Sequence, residues 1–454
     1  MLKKTLFYMI MVISAFALTG CIGGADEEEL NTELNISGVQ DVAELEKLQK
    51  LVKDQKNQLA DLERQLTTTK KSTTKEAKAK VKEIQQQIEK QKAEVVKASK
   101  QVTEVKAEKG KYVWNMFRGI PSHDFYQGFN ILPPVAFKWR FKAGGGFTAS
   151  AVMDAENIYV GSMDNNFYAI NKASGQETWK VPVMGAVSSS AALYLGTLYF
   201  GTETGMVFAL SDKGKVLWKT RLEGPIQYSS PAVYSDKVYI GCMDNTFYAL
   251  NRKTGEIAWK HKAFMPIAGS PVIANGMIYI GSMDKTMYAL DLDNGSVQWQ
   301  FQTGGSISGT PAEDSGMLFF GSDEKKVYAV DSLTGSVKWS FATGGWMSSS
   351  PVIKNGAVYI GSNDKNVYAI SAQNGKLLWK TLLEGKVISV PFIVNNMLYA
   401  AAGKELFALD ITTGEKKWGE KYDAAIKSSA IGDNGILYIG DDDGSFYALE
   451  SNAK

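Results

Sequence analysis

The stretch Ala249-Leu-Asn-Arg-Lys-Thr-Gly255-Glu-Ile-Ala-Trp259 decides the fold of this 454-residue chain. It sets a tryptophan ten residues after an alanine and four after a glycine. The same spacing runs through Ala169/Gly175/Trp179, Ala289/Gly295/Trp299, Ala329/Gly335/Trp339 and Ala369/Gly375/Trp379. Ala408/Gly414/Trp418 follows at a period one residue shorter, and Ala209/Gly214/Trp218 lacks one residue before its glycine. A period near forty residues, held over most of a chain, means one supersecondary unit repeated.

Each unit has four parts. It begins small and polar, as at Ser188-Ser-Ser190, Ser229-Ser230, Gly269-Ser270, Gly309-Thr310 and Ser349-Ser350. An apolar strand follows, ending in an aromatic residue two before a glycine, such as Tyr239/Gly241. A turn leads to a strand of the type Phe247-Tyr-Ala-Leu250, and a glycine turn leads to the tryptophan strand. Short strands joined by tight turns at this period predict a β-propeller blade. The second-strand aromatic occurs eight times, at Tyr159, Tyr199, Tyr239, Tyr279, Phe319, Tyr359, Tyr399 and Tyr438, with Ala401 replacing glycine in the seventh copy. The tryptophan also occurs eight times, at Trp139, Trp179, Trp218, Trp259, Trp299, Trp339, Trp379 and Trp418. The two series are offset: Trp139 precedes the first unit, and the last unit ends without a tryptophan strand. Lys138-Trp-Arg-Phe141 therefore completes the last blade, which closes the ring without an exposed seam. The expected fold is all-β: an eight-bladed propeller of four-stranded antiparallel blades over residues 136–454, closed by an N-terminal strand in the last blade.

Four segments precede it. Residues 1–20 carry Lys3 and Lys4, an apolar run and small residues, the pattern of a secretory leader too short to span a bilayer. Leu18-Thr-Gly-Cys21 resembles the lipobox of bacterial lipoproteins, which implies lipidation of Cys21. Residues 21–40 are acidic and polar without an apolar period and read as a tether. Residues 41–110 hold two heptad seams, Leu45 to Leu66 and Val81 to Val105, out of phase with each other. Between them Thr67–Thr74 favours turns over helix interiors. The region is either a helical hairpin or one long coiled-coil helix that self-associates across a phase defect. Its lysines form a solvated face or meet an anionic membrane or wall polymer. Residues 111–135 are an aromatic entry segment without a clean period.

Composition narrows the function. A formal net charge of +2 gives no basic field for nucleic acid. With Cys21 lipidated, Cys242 is left alone, so no disulfide framework forms within one mature chain. His123 and His261 are the only histidines, too few for a histidine-rich metal site.

The repeat resembles the eight-bladed propellers of the pyrroloquinoline-quinone (PQQ) type. Their tryptophan-docking motif, AxDxxTGxxxW, stands here as ALNRKTGEIAW at 249–259, AVDSLTGSVKW at 329–339 and ALDITTGEKKW at 408–418, and the entry segment Trp114-Asn-Met-Phe-Arg-Gly119 is similar as well. The resemblance covers roughly residues 112–454. It implies that each tryptophan packs between neighbouring blades over a glycine in a left-handed turn. It implies one of two functions, that of the quinoprotein dehydrogenases or that of the BamB-type lipoproteins of the outer-membrane β-barrel assembly machinery.

The residues favour the second branch. The strand starts that line the channel are Ser, Gly, Thr and Ala, which offer neither carboxylates for a calcium ion nor a general base. The recurring Asp164, Asp244, Asp284, Asp364 and Asp443 each read as a cap of their own hairpin turn, Asp441–Asp443 lacks calcium-loop spacing, and Cys242 reads as a small packing residue. No cofactor and no catalytic residue is expected. An apolar residue recurs eight positions after each tryptophan, while the residue before it varies from blade to blade. Variation on a fixed scaffold is where a binding face is written. Trp346, Met347 and Lys386, with Tyr228 and Phe264 in equivalent loops, are the candidate partner face, the alternative being that Trp346 plugs the channel mouth. The expected function is a lipid-anchored, non-catalytic scaffold for envelope proteins. It sits in the outer membrane of a two-membrane cell, where the assembly machinery is its partner, or on the surface of a one-membrane cell. The alternatives are a PQQ-dependent oxidoreductase and a surface sensor or wall-binding protein.

Overall fold

The computed structural model describes residues 131–451, helical residues 80–88, the backbone of residues 112–114 and isolated positions 58, 65, 68, 69 and 90. The leader, Cys21, the tether, His123 and most of both heptad seams lie outside the described residues.

Eight antiparallel sheets surround one axis. Blade 1 runs from axis to rim as Val152–Asp154, Asn157–Gly161, Asn166–Asn171 and Glu177–Pro182, and blades 2 to 7 repeat this order. The middle strands are buried on both faces between neighbouring blades, which is why they are nearly continuous apolar runs. The outermost strands alternate exposed and half-buried residues. A bulge interrupts each of them: Ala249 faces Trp259 while Leu250 faces Ile257. The extra residue twists the rim strand and blunts an edge that otherwise invites pairing with another chain.

Blade 8 is built from both ends of the array. Ile431–Asp433, Ile436–Gly440 and Ser445–Ser451 are joined at the rim by Val135–Lys142, with Trp139 opposite Ala448. The seam carries further bonds. Tyr399 donates its hydroxyl to Ile131 O at 3.1 Å. Ser451 Oγ donates to Leu132 O at 2.8 Å. A buried ion pair joins Lys172 of blade 1 to Asp433 of blade 8.

Seven of the eight interblade junctions seat a tryptophan on a glycine. Gly255 has φ +75°, and a Cβ there would lie 2.5 Å from Trp218 Cε3. Gly175, Gly214, Gly295, Gly335, Gly375 and Gly414 stand in the same relation to the tryptophan of the preceding blade. The indole N–H then finds a backbone carbonyl in the same turn, as from Trp218 to Arg252 O at 2.9 Å and from Trp339 to Ala372 O at 2.8 Å. Trp259 is the exception. Its Nε1 has no partner, and the carbonyl at the matching place, Leu292 O, accepts from Tyr239 at 3.1 Å.

Two features depart from the sequence reading. Tyr112–Trp114, in the entry segment without a period, is a strand that pairs antiparallel with Val152–Asp154 on the inner edge of blade 1. Three residues are too few to show a period, and the open edge of the innermost strand supplies the partner. Thr68 and Thr69, expected in a turn, are helical. Thr69 Oγ1 donates to Gln65 O at 2.7 Å, the back-bond that lets a threonine sit inside a helix.

Two glycines separate backbone strain from packing. Gly276 has φ +75° and nothing within 4 Å of an added Cβ. We expect Gly276→Ala to cost about 1 kcal/mol from backbone conformation alone. Gly255→Ala must also displace Trp218 and should cost about 2 kcal/mol more. Chemical denaturation of the two variants measures the difference, and equal losses would show that the indole seat is not tight.

Candidate functional site

One face of the ring is formed by two kinds of loop that touch. The turn between the second and third strands of each blade meets the loop entering that blade, as when Met163 N donates to Gly146 O at 2.9 Å. A carboxylate ties the two together. Asp164 accepts from Tyr168 Oη at 2.7 Å, from Asn166 N at 3.0 Å and from Gly144 N at 3.0 Å. Asp364 does the same with Tyr368, Asn366 and Gly344, and Glu324 takes the role in blade 5 with Tyr328 and Gly304. Burial opposes ionisation of Asp164, but the bonds from Tyr168 and Asn166 outweigh it and hold the carboxyl below its usual range. These carboxylates are structural caps. Blade 8 departs from the expected pattern: Asp441, not Asp443, caps its turn and accepts from Tyr447 Oη at 3.0 Å. Asp443 pairs instead with Lys142 at 2.8 Å, which holds its carboxyl low. A carboxylate at the position where other blades carry serine has displaced the usual one.

The apolar residue eight after each tryptophan is buried beneath this face. Val187, Ile267, Ile307 and Val387 are 0 % exposed and sit where a Cβ on Gly161, Gly241, Gly281 or Gly361 would clash. Met347 belongs to this set. It is 0 % exposed, packed on Gly321, and so is no part of an exposed partner face. Its neighbour Trp346 is 61 % exposed, Tyr228 65 % and Phe264 87 %. Lys386 is exposed one blade beyond Trp346. Met184, Met265 and Ile388, which the sequence reading did not single out, add apolar surface to the same loops. The signal for them was the variable position itself and its immediate neighbours.

At the axis this face opens into a funnel of about 430 Å³. Its wall carries a belt of side-chain-to-backbone hydrogen bonds. Ser150 N donates to Ser190 Oγ, Ser190 N to Ser230 Oγ, Ser230 N to Ser270 Oγ, Ser270 N to Thr310 Oγ1 and Thr310 N to Ser350 Oγ, at 2.9–3.1 Å. Val390 N donates to Ser429 Oγ and Ser429 N to Ser150 Oγ, both at 3.0 Å. Only the link from Ser350 to the next blade is missing from the belt, because residue 390 is valine and has no hydroxyl. The small polar strand starts are thus bonded parts of the ring.

The funnel does not fit the calcium and quinone chemistry of the dehydrogenase branch. Among the described residues no Asp, Glu, His or Cys lines it, and no group of three such side chains could hold a metal ion. Burial pushes the Cys242 thiol up to about 12, away from thiolate reactivity. His261 takes the place that Phe301 and Phe341 hold in other blades, edge-on to Tyr288 at 5.2 Å, and its Nε2 has no partner.

The sequence profile of the family described as outer membrane protein assembly factor BamB matches residues 98–245, 203–309, 304–390 and 384–453. BamB of Nitrosomonas eutropha is 27 % identical over 137 residues, 30 % of this chain and 33 % of that protein, so the match spans about a third of the relative. The crystal structure of BamB from Moraxella catarrhalis superposes with a TM-score of 0.62 at 17 % identity, over 70 % of this chain and 99 % of that one. Quinohemoprotein alcohol dehydrogenase from Comamonas testosteroni gives a TM-score of 0.62 at 14 % identity, over 75 % and 81 %. At these identities both likenesses concern the fold alone.

Two outcomes follow from the belt and from His261. Ser230→Ala leaves the Ser190 N–H without its acceptor and should cost about 1–3 kcal/mol, whereas Val390→Thr supplies the missing hydroxyl and should gain up to about 1 kcal/mol. Thermal unfolding compares them, and a neutral Ser230→Ala would show the belt to be incidental. Burial holds the His261 imidazole below its ordinary range, against the pull of Asp284. The unfolded chain therefore binds the proton first, near pH 6.5. This stability is present above that pH and is lost as pH falls below it. His261→Phe should reduce the drop in midpoint between pH 7.5 and 5, and an unchanged drop would exclude His261 as its source.

Proposed function

This chain belongs to the family of the outer membrane protein assembly factor BamB, and from that membership we propose that it is a non-catalytic scaffold of the cell envelope. On this reading Cys21 carries a lipid after removal of residues 1–20, residues 21–40 are the tether, and residues 41–110 form a helical hairpin or self-associating coiled coil. The propeller holds a protein of the β-barrel assembly machinery on its loop face. One observation carries the proposal. Large side chains, Trp346, Tyr228 and Phe264, stand exposed on that face at loop positions that differ from blade to blade. Exposed aromatics on a rigid frame are the anchors from which protein interfaces draw most of their energy. Lys386 beside Trp346 adds a charge that steers and orients a partner. The oxidoreductase alternative has the fold in its favour and a funnel without carboxylates against it.

Crosslinking in cells followed by capture of the chain tests the proposal. The native chain should bring down β-barrel assembly proteins, and Trp346→Ala combined with Lys386→Glu should reduce that capture about tenfold. Capture of only wall polymer or unrelated envelope proteins would replace the assembly reading with a surface-binding one. Full retention by the double variant would move the interface to another face.

A further inference from the structure

The funnel departs from its own repeat chiefly at blades 7 and 8, with one further departure at blade 3 across the ring. The inner tier of its wall is hydroxyl-bearing in seven blades and valine at 390. The tier above it, two residues earlier in each blade, is small in five blades and departs at Tyr228, Ile388 and Lys427. Ile388, Val390 and Lys427 are on adjacent blades. A uniform ring would have no reason to place an apolar patch and a cation side by side at its axis, and such departures from a local rule concentrate at functional positions.

The hydroxyls add a direction. In every belt bond the hydroxyl accepts and the backbone N–H donates. The protons of Ser150, Ser190, Ser230, Thr310, Ser350 and Ser429 are not used in the belt, and all six residues line the funnel. Ser188 gives an independent sign. It lines the funnel, is 6 % exposed, and its Oγ has no hydrogen-bond partner. A buried hydroxyl without a partner costs free energy unless something meets it. The wall is thus rich in O–H donors and, among the described residues, carries one ammonium, Lys427, oriented by Asp442 at 2.7 Å. Tyr228 lines the funnel with φ +66°, a conformation that strains an L-residue.

We propose that the funnel binds a carboxylate borne on an apolar body. The carboxylate accepts from Lys427 and the serine hydroxyls, and the body lies against Ile388, Val390 and Tyr228. Two sources share this chemistry, the free C-terminus of an extended polypeptide with an apolar last residue and a small apolar acid. The proposal adds a ligand to the face assigned above and does not rest on that assignment.

Titration calorimetry of the full-length chain in detergent tests it with three probes. These are an N-acetylated tetrapeptide ending in phenylalanine with a free carboxylate, the same peptide amidated, and octanoate. The free acid should bind and the amide should be about tenfold weaker; Lys427→Met should lose about tenfold and Ser188→Ala several-fold. Thermal midpoints within a few degrees of native would show that these variants fold. Octanoate binding as tightly as the peptide assigns the small acid as the source, and peptide binding alone assigns the chain terminus. Equal affinity for acid and amide, no binding of any probe at about 1 mM, or unchanged affinity in Lys427→Met overturns the proposal.

Discussion

Where eight sheets converge on one axis, the backbone entering each innermost strand lacks the neighbour that an ordinary sheet supplies. A buried N–H without an acceptor is costly. This chain solves the problem with hydroxyls passed from blade to blade: in seven of the eight blades the amide is satisfied by the serine or threonine of the next. The other regularities follow from the close approach this allows. The glycine near the end of the second strand admits the buried apolar residue of the loop, and the glycine of the outer turn admits the preceding indole. Contact between blades is thus set at three radii, by hydroxyls at the axis, an apolar residue midway, and tryptophan at the rim.

The rim and the count were legible because tryptophan, glycine and the aromatic strand are chemically distinctive and recur at a steady period. The offset of the two series even revealed the shared blade. The axis was less legible. Ser190 and Ser230 look in sequence like any small residues at a strand start, and nothing local says that their hydroxyls bond to the next repeat forty residues on. Met347 and Trp346 are adjacent, and both are large and apolar. Only the period separates the buried one, which recurs, from the exposed one, which does not. Asp443 sits at the expected capping position, yet Asp441 displaces it because both can reach the same turn. That competition is decided by geometry that spacing does not encode. The heptad seams were legible as a pattern, and Ile84 and Ile88 of the second seam are buried in the helical stretch 80–88.

The ring's uniformity makes its exceptions readable. Ala401 in place of glycine, Val390 in place of a hydroxyl, Ile388 at a usually small position and Lys427 all lie in blades 7 and 8, next to the seam. Trp346 and Lys386 bring the exposed aromatic and a cation to neighbouring loops. Repeats elsewhere hold shape, and this sector holds most of the chemical variety. Such a division suits a scaffold, because a rigid frame spares a binding face the entropy of ordering itself when a partner arrives.

The shared blade has a consequence for biogenesis. Val135–Lys142 pairs with Ser445–Ser451, and bonds such as Lys138 to Glu450 span 312 residues of chain. A polypeptide emerging N-terminus first must carry that strand unmatched until Ser445–Ser451 has appeared. Through that interval a growing arc of blades has two raw ends, each able to zip onto a neighbouring copy. Speed of synthesis and protection of the first strand, more than the intrinsic stability of any blade, then govern how much of this protein is completed as a single closed circle.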